Sequence, residues 1–348
     1  MASPSLQRFL LRRALSLPAP ILRLMSGGRA VYRHGRTLDP RLQVLAAAAR
    51  NQPSISTLTP QEARAAVAQG LSPLSGRPEP GVRVESLALE GPAGPLIARA
   101  YRPADQDPQA PPMVYAHAGG GVLGDLETCH VFCQVLAAVA GIAVVSVAYR
   151  LAPEDRFPAG LDDVAGAYRW VRDHAHDFGA PRGAAMIGGD SMGGNFAAVI
   201  AQDLKRTGEP QPVLQLLIYP CTDIASESPS MTDYADAFPL DRSAMDWFTG
   251  HYLGPRDSPA DPRLSPLRAG DLTGLAPAVI ATAGYDPLRD QGEAYARALQ
   301  DAGVKIAYRS YDSLTHGFAG FTGAVPAADL ACREIAGLVR AALQAGRA

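Results

Sequence analysis

Gly189-Asp190-Ser191-Met192-Gly193 is the stretch whose reading decides the fold. It follows an apolar run, Ala184-Ala185-Met186-Ile187-Gly188, and precedes Gly194-Asn195-Phe196-Ala197-Ala198-Val199-Ile200-Ala201, which reads as the start of a helix. A strand thus passes into a helix through a turn of pattern G-x-S-x-G. The flanking glycines are needed because side chains there would collide with the neighbouring strand and helix. Such a turn holds the serine on a strained elbow, with Oγ exposed beside the positive end of a helix. That is the placement of a nucleophile, and it implies hydrolysis through an acyl-enzyme. The pattern is short, and its weight comes from the strand before it and the helix after it.

Outward from the elbow, short apolar runs alternate with helical patterns. The spacing predicts strands at Met113–Ala116, Ile142–Val147, Ala184–Gly188, Val213–Tyr219, Ala278–Thr282 and Ile306–Ser310. Several are apolar throughout, which suits strands buried on both faces of a parallel sheet covered by helices. Functional groups then belong at the carboxyl ends of the strands, where Ser191 lies. Before this core, Val82–Leu89 and Leu96–Arg102 read as a hairpin around Gly91-Pro92-Ala93-Gly94. Thr59-Pro60-Gln61-Glu62 reads as a capping box opening a helix.

Two regions break the rhythm. Between Pro220 and Pro277 no good strand occurs; Phe238, Leu240, Met245, Trp247, Phe248, Tyr252 and Leu253 are spaced as on an amphipathic helix. The stretch before Asp39 holds seven arginines, no acid, and interleaved apolar residues from Leu6 to Met25. It reads as cap helices over the core, with weak association with a membrane surface as the other reading. Pro18 and Pro20 interrupt it as a secretory signal. The expected organisation is an N-terminal helical cap segment (1–75), a first core part (76–222), a cap insertion (223–265) and a second core part (266–348).

The 348 residues carry a net charge of −2, which leaves no nucleic-acid footprint. No apolar run is long enough to span a bilayer. Cys129, Cys133, Cys221 and Cys332 follow no metal spacing and fit a reducing, cytoplasmic setting. His174 and His176 form an H-x-H pair on a polar helix, a weak metal signal.

A serine needs a base, and the base an orienting acid. His316, in Leu314-Thr315-His316-Gly317-Phe318, lies past the last strand; Asp286, in Gly284-Tyr285-Asp286-Pro287-Leu288, lies past the strand before it. Asp290 and Asp312 are rival acids. His117-Ala118-Gly119-Gly120-Gly121 follows another strand and offers backbone N–H groups. Those of Gly119, Gly120 and Met192 are the expected oxyanion donors.

With these residues in hand, the chain resembles the hormone-sensitive-lipase family of α/β-hydrolases, which includes many bacterial carboxylesterases. The resemblance rests on His117-Ala118-Gly119-Gly120, Tyr149-Arg150-Leu151-Ala152-Pro153-Glu154 with Phe157-Pro158-Ala159, Gly189 to Asn195, Asp286-Pro287-Leu288-Arg289-Asp290 and His316-Gly317-Phe318. It implies an α/β-hydrolase fold, a mostly parallel central sheet flanked by helices, with a helical cap. It implies a serine esterase acting on small carboxylic esters of short to medium acyl length, with Ser191, Asp286 and His316 as triad. It calls for no metal or cofactor, and a homodimer is compatible with it. Ala118, Met192 and Gln291 depart from the family pattern. Gly121 stands where an aromatic is common, which predicts a wider acyl pocket there. Phe238, Trp247 and Phe248 are the other expected pocket residues. A non-catalytic ligand receptor on the same fold, or an amidase with the same triad, are the alternative readings.

Overall fold

In the computed structural model, which describes residues 4–346 with side chains from residue 8, the apolar runs assemble into one eight-stranded sheet. Residues 1–3 and 347–348, at the outer ends of the expected cap and core segments, and the side chain of Leu6 lie outside the described residues. The strand order from one edge is Ile306–Thr315, Ala278–Tyr285, Gln215–Ile218, Met186–Asp190, Met113–Ala116, Val144–Val147, Gly94–Pro103 and Val82–Gly91. The first six run parallel. The last two form an antiparallel hairpin on the other edge.

Every residue of the five strands from Ala278–Tyr285 to Val144–Val147 in that order is buried, because helices cover both faces. One face packs under His130–Ala140 and Pro326–Ala345; the other packs under Ala159–Asp173, Met192–Thr207 and Arg289–Asp301. Leu161, Val164, Tyr168 and Val171 show the reason on one helix: their spacing forms a single apolar stripe, and all four are buried. Each such aliphatic side chain contributes about 1.5–3 kcal/mol on burial.

Strand ends differ from the sequence expectation. The strand before the elbow is Met186–Asp190, two residues later than expected, because its parallel register pairs Met186 with Met113 and Asp190 with Ile218. The last two strands run on to Tyr285 and Thr315. Main-chain pairing continues there past the apolar residues, with an irregularity between Tyr311 and Thr315. Asp286 and His316 are therefore each the first residue beyond a strand.

Two stretches stand over these strand ends. The N-terminal one contributes helices Pro4–Leu15, Ala19–Met25, Pro40–Ala49 and Pro60–Leu71. The other, between Ile218 and Ala278, contributes Pro229–Asp233 and Arg242–Tyr252. Pro60–Leu71 opens on the capping box: Thr59 Oγ1 accepts from Glu62 N at 3.3 Å, and Glu62 Oε2 accepts from Thr59 N at 2.9 Å. A cap of this kind is worth about 1 kcal/mol. The stretches meet where Trp247 Nε1 donates to the Leu58 carbonyl at 3.1 Å and Arg33 pairs with Asp236. The four cysteines are free and buried. No described helix is long and apolar enough to cross a membrane.

Candidate active site

Ser191 sits at φ 57°, ψ −117°, a conformation costing a non-glycine residue on the order of 1–3 kcal/mol. Its neighbours make the turn possible. A Cβ on Gly193 would lie 2.0 Å from the Ala116 carbonyl oxygen, and one on Gly189 2.3 Å from the Gly193 carbonyl carbon. The Ser191 amide donates to the Ile218 carbonyl at 2.9 Å, which pins the elbow to the adjacent strand.

The structure brings Ser191, His316 and Asp286 together. His316 Nε2 is 2.9 Å from Ser191 Oγ, and His316 Nδ1 is 2.8 Å from Asp286 Oδ2. With Nδ1–H donating to the carboxylate, Nε2 is left as the acceptor facing the hydroxyl. Asp286 is fully buried, and its Oδ1 accepts from Leu288 N at 2.8 Å. The rival acids are engaged elsewhere. Asp290 accepts from Ser230 N and pairs with Arg289, and Asp312 pairs with Arg36.

The glycine loop bends over the elbow. Gly119 and Gly120 have φ of 131° and 63°, and a Cβ on Gly119 would lie 2.1 Å from the Leu123 carbonyl oxygen. Among the described residues no acceptor takes the N–H of either glycine. Met192 opens the helix Met192–Thr207, so its N–H has no intrahelical partner. The loop is braced from behind. His117 is buried and stacked on Tyr149 with ring centroids 4.3 Å apart; its Nδ1 donates to the Ala118 carbonyl at 2.8 Å. Burial lowers its pKa to about 4, so the ring is neutral near pH 7. Arg64, from Pro60–Leu71, donates to the carbonyls of Val122 and Ala152 and pairs with Glu154.

Sequence reasoning missed Asp190. Its carboxylate is buried between Tyr115, whose Oη donates to Oδ1 at 3.0 Å, and Tyr219, whose Oη donates to Oδ2 at 3.0 Å. Burial pushes its pKa up; the two phenols, the His316 imidazole and the Ala118 amide oppose that rise. Asp190 thereby ties the elbow to the strands on either side and to the glycine loop. Tyr219 also packs against the His316 ring, centroids 4.8 Å apart. The sequence signal was there, since Asp190 lies inside the quoted motif, but one partner lies in Met113–Ala116 and the other just past Gln215–Ile218.

A cavity of about 790 Å³ opens above Ser191 and His316. Its wall is mainly apolar, with Leu71, Met192, Phe238, Leu240, Met245 and Phe248 among the lining. Gly121 and Trp247 do not line it, which corrects two expected pocket residues. The Tyr252 ring fills the space over Gly121, where a Cβ would lie 2.6 Å from Cδ2. The wider pocket expected at Gly121 is therefore closed. Trp247 turns to the Leu58 carbonyl and stacks edge-on against Phe248 and His251. Gln291 has a structural part: its Oε1 accepts from Thr222 N and Asp223 N at 2.6 and 2.8 Å, where the chain leaves the sheet. His174 stacks on Trp170, and His176 lies beside Asp177 and Arg182. Among the described residues no three metal-ligating side chains converge.

Residues 113–320 match the alpha/beta hydrolase fold family, a span holding the elbow, the glycine loop, Asp286 and His316. The chain belongs to that family. As an α/β hydrolase it is 43% identical to the carboxylic ester hydrolase LipN of Mycobacterium tuberculosis, over 87% of this chain and 82% of the relative. It is 35% identical to an ethyl acetate hydrolase of Pseudomonas putida, over 78% of this chain and 87% of the relative. Among solved α/β hydrolases, an ester hydrolase from the Lake Arreo metagenome, complexed with a derivative of bipyridine phosphonate, superposes with a TM-score of 0.84 at 40% identity. The match covers 88% of this chain and 99% of that one.

Proposed function

We propose that this α/β hydrolase is a serine carboxylesterase of the hormone-sensitive-lipase type, with Ser191, His316 and Asp286 as its catalytic triad. The observation that carries the reading is the continuous hydrogen-bonded chain from the Ser191 hydroxyl through His316 to buried Asp286. The names of the relatives support the ester as substrate class.

In the proposed reaction, Ser191 Oγ attacks the ester carbonyl carbon as Nε2 of His316 takes its proton. Asp286 holds the imidazole with Nδ1–H toward itself and stabilises the imidazolium. The N–H groups of Gly119, Gly120 and Met192 receive the carbonyl oxygen as it gains negative charge. They are preorganised donors, each worth roughly 10²–10³ in turnover. His316 then returns the proton to the departing alcohol, and water releases the acyl group by the same route. The apolar wall fits an acyl or alcohol chain of short to medium length, and its volume lies within the roughly 300–1,000 Å³ of ordinary ligand sites. In this reading residues 1–75 and 223–265 are two pieces of one cap over a core of 76–222 and 266–348.

The test is a panel of p-nitrophenyl esters of graded acyl length, with Ser191→Ala alongside, and mass spectrometry after treatment with a phosphonate ester. The reading expects turnover by the parent, loss in the variant, and one adduct on the Ser191 peptide. An inert parent, or an adduct elsewhere, would overturn it.

A further inference from the structure

The side chains that the first two helices and the turn between them expose to solvent are composed unlike the rest of the surface. Phe9, Leu10, Leu17, Ile21, Leu24 and Met25 are exposed, Leu24 at 75%. Past residue 32, exposed large hydrophobics among the described residues are single and far apart in sequence: Val84, Ile97, Val213 and Leu330. Isolated apolar residues are ordinary on a surface, whereas a concentration of them marks a contact site. Spacing explains how they come to face outward. Pro4–Leu15 turns Leu11 and Leu15 inward, leaving Phe9, Leu10 and Arg13 outside; Ala19–Met25 buries Leu22 and leaves Ile21, Leu24 and Met25 outside.

Charge says what covers this face. Residues 1–38 contain no acid. Elsewhere the arginines mostly pair with carboxylates, as in Arg64–Glu154, Arg150–Asp163, Arg169–Glu209 and Arg263–Asp162. Among the described residues Arg8, Arg12, Arg13, Arg23 and Arg29 form no such pair. Burial, and then the like charges of Arg8 and Arg77, lower the Arg12 guanidinium below the usual arginine value. A field of one sign is thus left unneutralised beside an apolar face. Apolar side chains with arginines at their margin match the boundary between headgroups and acyl chains of an anionic bilayer. A neutral or basic partner surface would leave the arginines unpaired.

We propose that this N-terminal face docks the protein on an anionic lipid surface, its apolar side chains entering the boundary and its arginines meeting lipid phosphates. The dock adjoins the cavity. Arg8 donates to the Ser72 carbonyl and Arg12 to the Ser75 carbonyl, and Leu71 and Leu74 beside them line the cavity wall. A docked molecule would hold its cavity near a reservoir of poorly soluble esters. That consequence rests on the esterase reading; the docking does not.

The test is flotation of the full chain with vesicles of phosphatidylcholine and phosphatidylglycerol at 7:3, against pure phosphatidylcholine, in about 0.1 M salt. Binding is expected to the anionic vesicles and to fall steeply at high salt. The variant Arg13→Gln/Arg23→Gln/Arg29→Gln should bind them on the order of 100-fold more weakly. Leu17→Ser/Ile21→Ser/Leu24→Ser should lose at least about tenfold. Circular dichroism and thermal melting establish that both variants are folded, independently of any activity. Equal binding to both vesicle types, or undiminished binding by folded variants, overturns the proposal. So does an absence of vesicle binding with a dimer that the serine variant converts to monomer, since the face would then be a subunit interface.

Discussion

On the floor of the cavity, Gly189 and Gly193 leave no room for a methyl group, and Asp286 and Asp190 are buried with every carboxylate oxygen hydrogen-bonded. On the roof, Phe238, Leu240, Met245 and Phe248 contribute apolar surface, and the two roof stretches are joined by side-chain contacts such as Trp247 to Leu58 and Arg33 to Asp236. The floor is specified by close steric and hydrogen-bond requirements. The roof is specified by apolar character and approximate volume. Reaction chemistry tolerates little positional error, whereas a pocket for a chain of variable length tolerates much.

Substitutions can break this contrast or sharpen it. Ser191→Ala is expected to lower kcat on a p-nitrophenyl ester by about 10⁶, with the fold unchanged by circular dichroism. A loss of only tenfold would mean that the floor does not hold the chemistry. Asp286→Asn should cost about 10⁴ in kcat through the wrong imidazole tautomer, with little change in KM. Behind the glycine loop the effect moves to stability. Burial holds His117 near pKa 4, below the ordinary 6.5, so as pH falls the unfolded chain takes up the proton first. The contribution of the neutral ring is complete above pH 6.5 and is lost as pH falls toward 4. Between pH 7 and 5 the loss is about 2 kcal/mol, read from urea midpoints, and His117→Gln should flatten that window. The smallest effects belong to the roof. Phe248→Ala should shift the acyl-length profile severalfold in kcat/KM, and Trp247→Ala should leave the profile unshifted. If Trp247→Ala shifts it as strongly as Phe248→Ala, the roof is more tightly specified than its contacts indicate.

The same contrast explains what was legible in the sequence. The elbow could be read because its constraint is local: glycines at fixed spacing, an apolar run before and a helical pattern after. Asp286 and His316 could be placed because each follows an apolar strand in the chain order that the family uses. Their strands extend past the apolar runs because pairing resumes at Thr315 with Tyr285 beyond an irregularity after Tyr311, where side-chain pattern gives no signal. Asp190 could not be assigned its partners, since Tyr115 and Tyr219 lie 75 and 29 residues away and become neighbours only through strand order. Gly121 misled for a similar reason. The vacancy a glycine leaves is visible in sequence, but the Tyr252 ring that fills it comes from the helix Arg242–Tyr252, far along the chain.

Arg64 blurs the division between floor and roof in one place. From a roof helix its guanidinium grips the Val122 carbonyl, two residues past Gly120, and the Ala152 carbonyl, whose own amide is bonded to the Gly121 carbonyl. It works as a splint set from above across a joint below. Grafting a roof from one hydrolase onto the floor of another would therefore have to carry this cation along, or the glycine loop would lose its outer support. The part of the molecule freest to vary is tethered, at this one residue, to the part that is not.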